Sequence, residues 1–231
     1  MGADREHEGD FVLEVIACTI EDAVEAEHGG ADRIEVVSRL DLGGLTPSLD
    51  LVRGIKSTVS LPLRVMLRNN ADYEVHSETE IQTLCAAAAE LDRIGVEGIV
   101  LGFLKNSEID LEPTRRILKC APNQKATFHH AFEDAKDKTV AIQQLKGMQQ
   151  IDKLLSHGGL GNSDERAVHL RKYSDMAKPE IEILVGGGVN ADAIRVFKNR
   201  TSLREFHVGG AVRKDGKVDR SLVEKLVITL R

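Results

Sequence analysis

Short apolar runs recur along the chain at a steady interval. They fall at residues 11–17, 33–37, 63–68, 98–102, 126–129, 153–156, 183–186 and 205–208. Each is brief, rich in branched side chains and bounded by Gly, Pro or polar residues, which predicts strands. Between them the apolar positions take helical spacing, over 21–27, 47–57, 78–94, 113–120, 134–148, 163–176, 191–199 and 220–230. The clearest stripe is Ile81, Leu84, Cys85, Ala88, Leu91 and Ile94. Asn190 stands where an N-cap belongs, and Ser163 is a weaker cap of the same kind.

Strand and helix thus alternate eight times. Strict βα alternation implies a parallel sheet. Eight units predict an α/β fold, a single (β/α)8 TIM-type barrel, which typically takes about 250 residues; the chain has 231. The rival, an open doubly wound sheet, would favour a Gly-rich turn after the first strand, and Ala17-Cys18-Thr19-Ile20 is not one. No linker divides the barrel, which is expected to span 11–231. Residues 1–10 are charged and lack an apolar stretch, so they are expected to be a flexible N-terminal segment rather than a secretory signal.

Residues two apart in a strand share a face. On one parity every strand is apolar: Leu13, Val15 and Ala17; Ile34 and Val36; Leu63, Val65 and Leu67; Phe128; Phe206 and Val208. Every ionisable group falls on the other. That predicts a polar lumen with Glu14, Glu35, Arg64, Arg68, His129 and His207, where barrels normally carry branched apolar side chains. Buried charges must be paired, so these groups either pair internally to stabilise the barrel or form an acid–base and anion pocket. Glu14 and Glu35 lie on adjacent strands, as do Glu35 and Arg68. His129 and His207 end their strands, where barrel active sites are built. His130 should point outward, and His7, His28, His76 and His169 should be solvated.

Gly186-Gly187-Gly188 follows the seventh strand and Gly209-Gly210 the eighth. Loops after these strands often hold phosphate in such barrels. Gly187, Gly188, Gly209 and Gly210 are therefore a candidate anion cradle, with Arg213 available to add charge and Ser156-His157-Gly158-Gly159 at the same mouth. Thr46 and Ser48 are placed to cap the second helix.

Net charge is −6, aromatics are 3% and Trp is absent, which argues against a nucleic-acid partner. No apolar run approaches the roughly 18 residues of a membrane helix. Three cysteines, Cys18, Cys85 and Cys120, are too scattered for a disulfide framework or a CxxC site. The expectation is a cytoplasmic protein with reduced thiols. Cys85 belongs to a core stripe and Cys120 to a helix end; Cys18 alone has lumen parity.

Several segments together resemble the CutC family of copper homeostasis proteins: Leu13-Glu14-Val15 with Cys18, Gly30-Ala31-Asp32-Arg33-Ile34-Glu35, Gly43-Gly44-Leu45-Thr46-Pro47-Ser48, Val65-Met66-Leu67-Arg68, Thr127-Phe128-His129, Gly186-Gly187-Gly188-Val189 and Glu205-Phe206-His207. The likeness runs in order along nearly the whole chain. It implies a cytoplasmic (β/α)8 barrel, commonly a homo-oligomer (dimer or tetramer), with a role in copper tolerance and Cu(I) binding. The chain departs from the family at Val36-Val37, where Leu-Cys is usual, and at Ile16, where the first-strand thiol usually stands. Two readings follow. One is copper handling with Cys18 as metal ligand. The other is a metal-free enzyme for a small anionic or sugar-like substrate, with Glu14 or Glu35 as base, His129 or His207 as acid, Arg68 as anion clamp and the glycine turns as cradle.

Overall fold

Eight parallel strands close on one another in the computed structural model, which describes residues 11–231. They are β1 (Val12–Ala17), β2 (Arg33–Val36), β3 (Leu63–Met66), β4 (Gly98–Leu101), β5 (Lys125–Phe128), β6 (Ile151–Ser156), β7 (Glu182–Val185) and β8 (Glu205–Val208). Spatial order follows chain order, and β1 pairs with both β2 and β8. The architecture is the predicted single (β/α)8 barrel. The N-terminal segment 1–10, with His7, lies outside the described residues.

The helices are α1 (Ile20–His28), α2 (Leu49–Thr58), α3 (Glu78–Ile94), α4 (Leu111–Cys120), α5 (Ala131–Asp134), α6 (Lys138–Lys146), α7 (Ser163–Ala177), α8 (Ala191–Arg200) and α9 (Arg220–Leu230). Most begin at a side-chain cap that satisfies first-turn N–H groups. Two caps move the expected boundaries. Asp137 accepts from Thr139 and Val140, so the helix expected from 134 begins at Lys138, after the single turn α5. Asn162, not Ser163, caps α7, and Glu165 reaches back to the Asn162 N–H to complete a capping box. Ser48 caps α2, whereas Thr46 bonds the backbone of Arg68 instead. Among the described residues no helix is long and apolar enough to cross a membrane.

Strand parity decides what lies on either side of the barrel wall. Leu13, Val15, Ile34, Val36, Leu63, Val65, Ile99, Phe128 and Phe206 belong to one apolar cluster between strands and helices, and all are essentially inaccessible. Inside the barrel, charge replaces the usual branched side chains near the strand starts. Arg64, fully buried, donates two parallel N–H bonds to Asp152 at 2.8 Å each, one to Thr127 Oγ1 at 2.8 Å and one to Glu97 at 3.2 Å. Gly98, its register partner on β4, makes the room: a Cβ there would lie 2.7 Å from the Lys125 carbonyl oxygen and 3.6 Å from Arg64 Cζ. Beside it Arg33 bridges Glu14 and Glu205, and Lys153 also reaches Glu205. Arg33, Glu205 and Asp152 were absent from the predicted lumen set, although Arg33 and Glu205 share its parity.

These ion pairs form a plug, and two substitutions test it. Removing one partner of a buried pair costs roughly 3–5 kcal/mol. Because Asp152 and Glu97 reach solvent, Arg64→Ala is expected near the lower end, about 3 kcal/mol, read as a lower denaturant midpoint. Gly98→Ala should cost about 1–3 kcal/mol in the same measurement, because the colliding atom is backbone and cannot swing away.

Candidate active site at the barrel mouth

Glu14 sits mid-way along β1, with Arg33 of β2 and His207 of β8 beside it in register. Its Oε2 accepts from Arg33 Nε and its Oε1 lies 2.7 Å from His207 Nδ1. Burial alone would raise the Glu14 carboxyl, but Arg33 and His207 outweigh it and hold it well below the usual carboxylate range. An ionised carboxylate only accepts, so His207 carries its proton on Nδ1 toward Glu14. The other ring nitrogen, Nε2, lies 3.7 Å from Glu35 Oε2.

Glu35 is in a different state. It is 2% exposed, and its Oε1 is buried without a hydrogen-bond partner among the described residues. Burial, reinforced by the neighbouring Glu14 charge, pushes its carboxyl up to about 7 against the pull of His207. His207 moves upward too: burial disfavours its charge, but the Glu35 and Glu14 carboxylates prevail. Two carboxyls on adjacent strands are thus driven apart, one fixed as an anion and one poised to exchange a proton near neutral pH. Ligand atoms of Glu14, Glu35 and His207 all lie within 4.8 Å of one another, so this set could also hold a hard or borderline divalent cation.

Above them opens a cavity of about 650 Å³. Glu35 and His207 line it together with Met66, Arg68, Tyr73, His129, His130 and the turns Gly187–Gly188 and Gly209–Gly210. His129 accepts the Ala131 N–H at Nδ1, which leaves its proton on Nε2, buried and without a partner. Burial, with the Arg68 charge, takes its pKa down to about 3, so it is a neutral donor. Gly187 and Gly188 both take φ of +69°, a conformation that favours glycine. Their N–H groups have no acceptor among the described residues, and they lead into α8 through the Asn190 cap. At Gly210 a side chain would meet open space.

Of the predicted residues, the barrel brings together Glu14, Glu35 and His207, and gathers His129 and all four cradle glycines at one cavity. Arg68 lines it, but not as a free clamp and not paired with Glu35. Its Nε donates to Asn70 O and its Nη2 to Leu42 O and Ala71 O, each at 2.8 Å, and Tyr73 lies beneath the guanidinium. It ties two loops together. Arg213 is likewise engaged, with Asp22 and the Ile16 carbonyl. His157 bonds the Gly159 carbonyl and is not among the lining residues. Cys18, in the turn after β1, packs against the small patch of Val37, Met66 and Val100 and does not line the cavity. His130 corrects the outward expectation. β5 ends at Phe128, so strand parity stops there, and His130 takes helical φ and ψ at the start of α5 and turns into the cavity wall. Tyr73 was also missed, since it sits in a loop with no periodic signal.

Comparison with known proteins agrees with this architecture. A family model described as the CutC family matches residues 11–213. A copper homeostasis protein cutC homolog of Homo sapiens is 30% identical over 206 residues, covering 89% of this chain and 75% of that protein. A family protein CutC of Treponema denticola is 32% identical over 204 residues, 88% of this chain and 82% of the relative. In structure, a copper homeostasis protein CutC of Streptococcus agalactiae superposes with a TM-score of 0.78 at 24% identity, over 86% of this chain and 98% of that one. The match to the family model, running from the first strand past the last, shows that this chain belongs to the CutC family.

Proposed function

We propose that the barrel-mouth cavity is an acid–base active site for a small anionic or sugar-like substrate. The observation that carries this reading is Glu35, a carboxyl buried without a partner, shifted to about 7 and facing the His207 Nε2 at the base of the cavity. A general base works best with a pKa near the operating pH. In the roles this supports, Glu35 takes a proton from the substrate and His207 gives one from Nε2. Glu14 holds the His207 ring through Nδ1, and Arg33 keeps Glu14 ionised. His129 offers a fixed N–H to a substrate oxygen. The free N–H groups of Gly187 and Gly188, at the start of α8, suit an anionic group on the same substrate.

Copper enters through the names of relatives. Cu(I) favours thiolate and thioether donors. The cavity lining instead supplies the Glu35 carboxyl and the imidazoles of His129, His130 and His207, with Met66 as its thioether. Cys18 stands outside the lining; its Sγ is 3.9 Å from Arg213 Nη2, and burial pushes its thiol up. This lumen does not fit Cu(I), and no step above uses it.

Two measurements check the reading. Infrared titration should show a protonated-carboxyl band that disappears with a midpoint near 7 and is missing in Glu35→Gln; titration of every carboxyl in the ordinary range would sink the assignment. The same shift has a stability consequence. A carboxyl raised in the folded state binds a proton there that the unfolded chain has released, so stability falls as pH climbs from about 4.5 through about 7. Glu35→Gln should flatten that slope. Secondly, sugar phosphates and inorganic phosphate should raise the melting temperature. Gly210→Asp, which adds a carboxylate at a position where the new Cβ meets open space, should abolish the rise, and no effect of any anion on the wild-type chain would count against the cradle.

A further inference from the structure

Behind the Gly187–Gly188 turn stands a cation that the acid–base roles do not use. Arg166 lies on α7, in the first turn after the Asn162 cap. Its Nη2 donates to Gly186 O at 3.0 Å and to Gly187 O at 2.7 Å, and its Nε donates to His157 O at 2.5 Å. The Gly186 carbonyl shares a peptide unit with the Gly187 N–H, and the Gly187 carbonyl shares one with the Gly188 N–H. Both units are trans, and in a planar trans unit C=O and N–H point opposite ways. Two carbonyls turned onto one guanidinium therefore turn two N–H groups away from it. Those N–H groups belong to residues that line the cavity, and they have no acceptor among the described residues.

The turn is held closely. A Cβ on Gly186 would lie 2.6 Å from Leu155 Cδ1, and one on Gly187 would lie 2.7 Å from His157 Cβ. The guanidinium also sits over the Phe197 ring of α8, 5.3 Å from its centre. All three of its bonds go to carbonyl oxygens, and no carboxylate pairs with it among the described residues. Glu133, whose charge acts on it, is spent on the Ser156 hydroxyl at 2.6 Å and the His157 N–H at 2.7 Å. Burial lowers the Arg166 pKa, yet an arginine stays charged at any ordinary pH. The same cavity is lined by His129, 2% exposed, whose Nε2 is buried without a partner, so the turn is not the only unsatisfied donor there.

We propose that Arg166 is the positioning residue of the glycine cradle, and that the group the cradle takes is a phosphate monoester dianion. This deepens the acid–base reading and rests on the anion cradle within it. Each peptide unit carries a dipole of about 3.5 D. Two such units lie here with their negative ends on a cation and their positive ends free. The unpaired Arg166 charge thus acts on the anion through the peptide units, with no side chain touching it. The N-terminus of α8, just beyond at the Asn190 cap, adds a dipole of the same sign. Attraction to a fixed positive field grows with the charge of the ligand, so an uncancelled cation behind two donors favours a phosphate dianion over a carboxylate.

The test titrates inorganic phosphate and acetate, each alone, into the full chain while amide NMR follows Gly187 and Gly188. In the wild-type chain phosphate should shift both amide resonances to saturation and bind more tightly than acetate. Arg166→Gln should weaken phosphate about tenfold, the worth of one hydrogen bond to a charged group, and erase the preference over acetate. A residue that only braced the loops would weaken both anions alike. Arg166→Lys, which keeps the charge, should keep a preference for phosphate. Phosphate that binds without moving the two amides overturns the proposal, as does equal affinity for the two anions in the wild-type chain. So does full selectivity in Arg166→Gln, or a Lys variant as unselective as the Gln variant. The wild-type titration and the Lys variant decide the matter if Arg166→Gln does not fold. Absence of any anion binding to the wild-type chain removes the cradle and this proposal together, whereas unchanged selectivity in Arg166→Gln overturns the role of Arg166 alone.

Discussion

Charge inside a closed barrel must be neutralised within it, and Arg33 is where this protein meets that constraint. Its guanidinium lies between Glu14 and Glu205, with side-chain exposure of 5%. Everything at the mouth depends on that bridge. Arg33 fixes Glu14 as an anion, Glu14 orients His207, and His207 stands opposite Glu35. Glu35 has no such bridge, and its Oε1 has no hydrogen-bond partner among the described residues, so burial outweighs the pull of His207 and its proton is held to near neutral pH. The plug below, with Arg64 clamped on Asp152, Thr127 and Glu97, keeps the lower lumen filled by satisfied pairs. A stabilising layer and a reactive layer thus share the inside of one barrel, and the difference between them is whether each charge has found its partner.

Carboxylates and imidazoles converge inside the barrel, where low exposure shifts their proton affinities. Cys18 stands apart from them, since it sits in the β1–α1 turn beside Arg213.

Much of this was legible in the chain itself. The recurrence of short strands and amphipathic helices determined the barrel, and the period-2 alternation sorted Glu14, Glu35 and His207 to one face, because a β-strand alternates sides whatever surrounds it. The glycine turns after the last two strands announced a mouth. Parity failed wherever the strand had ended. His130 was sent outward by a rule that stops at Phe128, and Tyr73 lies in a loop with no period at all. Arg68 kept its predicted position but not its role, because carbonyls supplied by the loops at Leu42 and Asn70–Ala71 absorb its donors.

What the sequence by itself determined is the fold and the residue types facing inward, since both follow from local periodicity. Only the tertiary structure decided which inward charges are spent on each other and which remain available. That depends on strand register and on residues far apart in the chain: Glu14 with His207, Arg33 with Glu205, Arg64 with Asp152. Local periodicity carries no information about such pairings, and proton affinity, which burial and neighbouring charge set together, is settled only when they form.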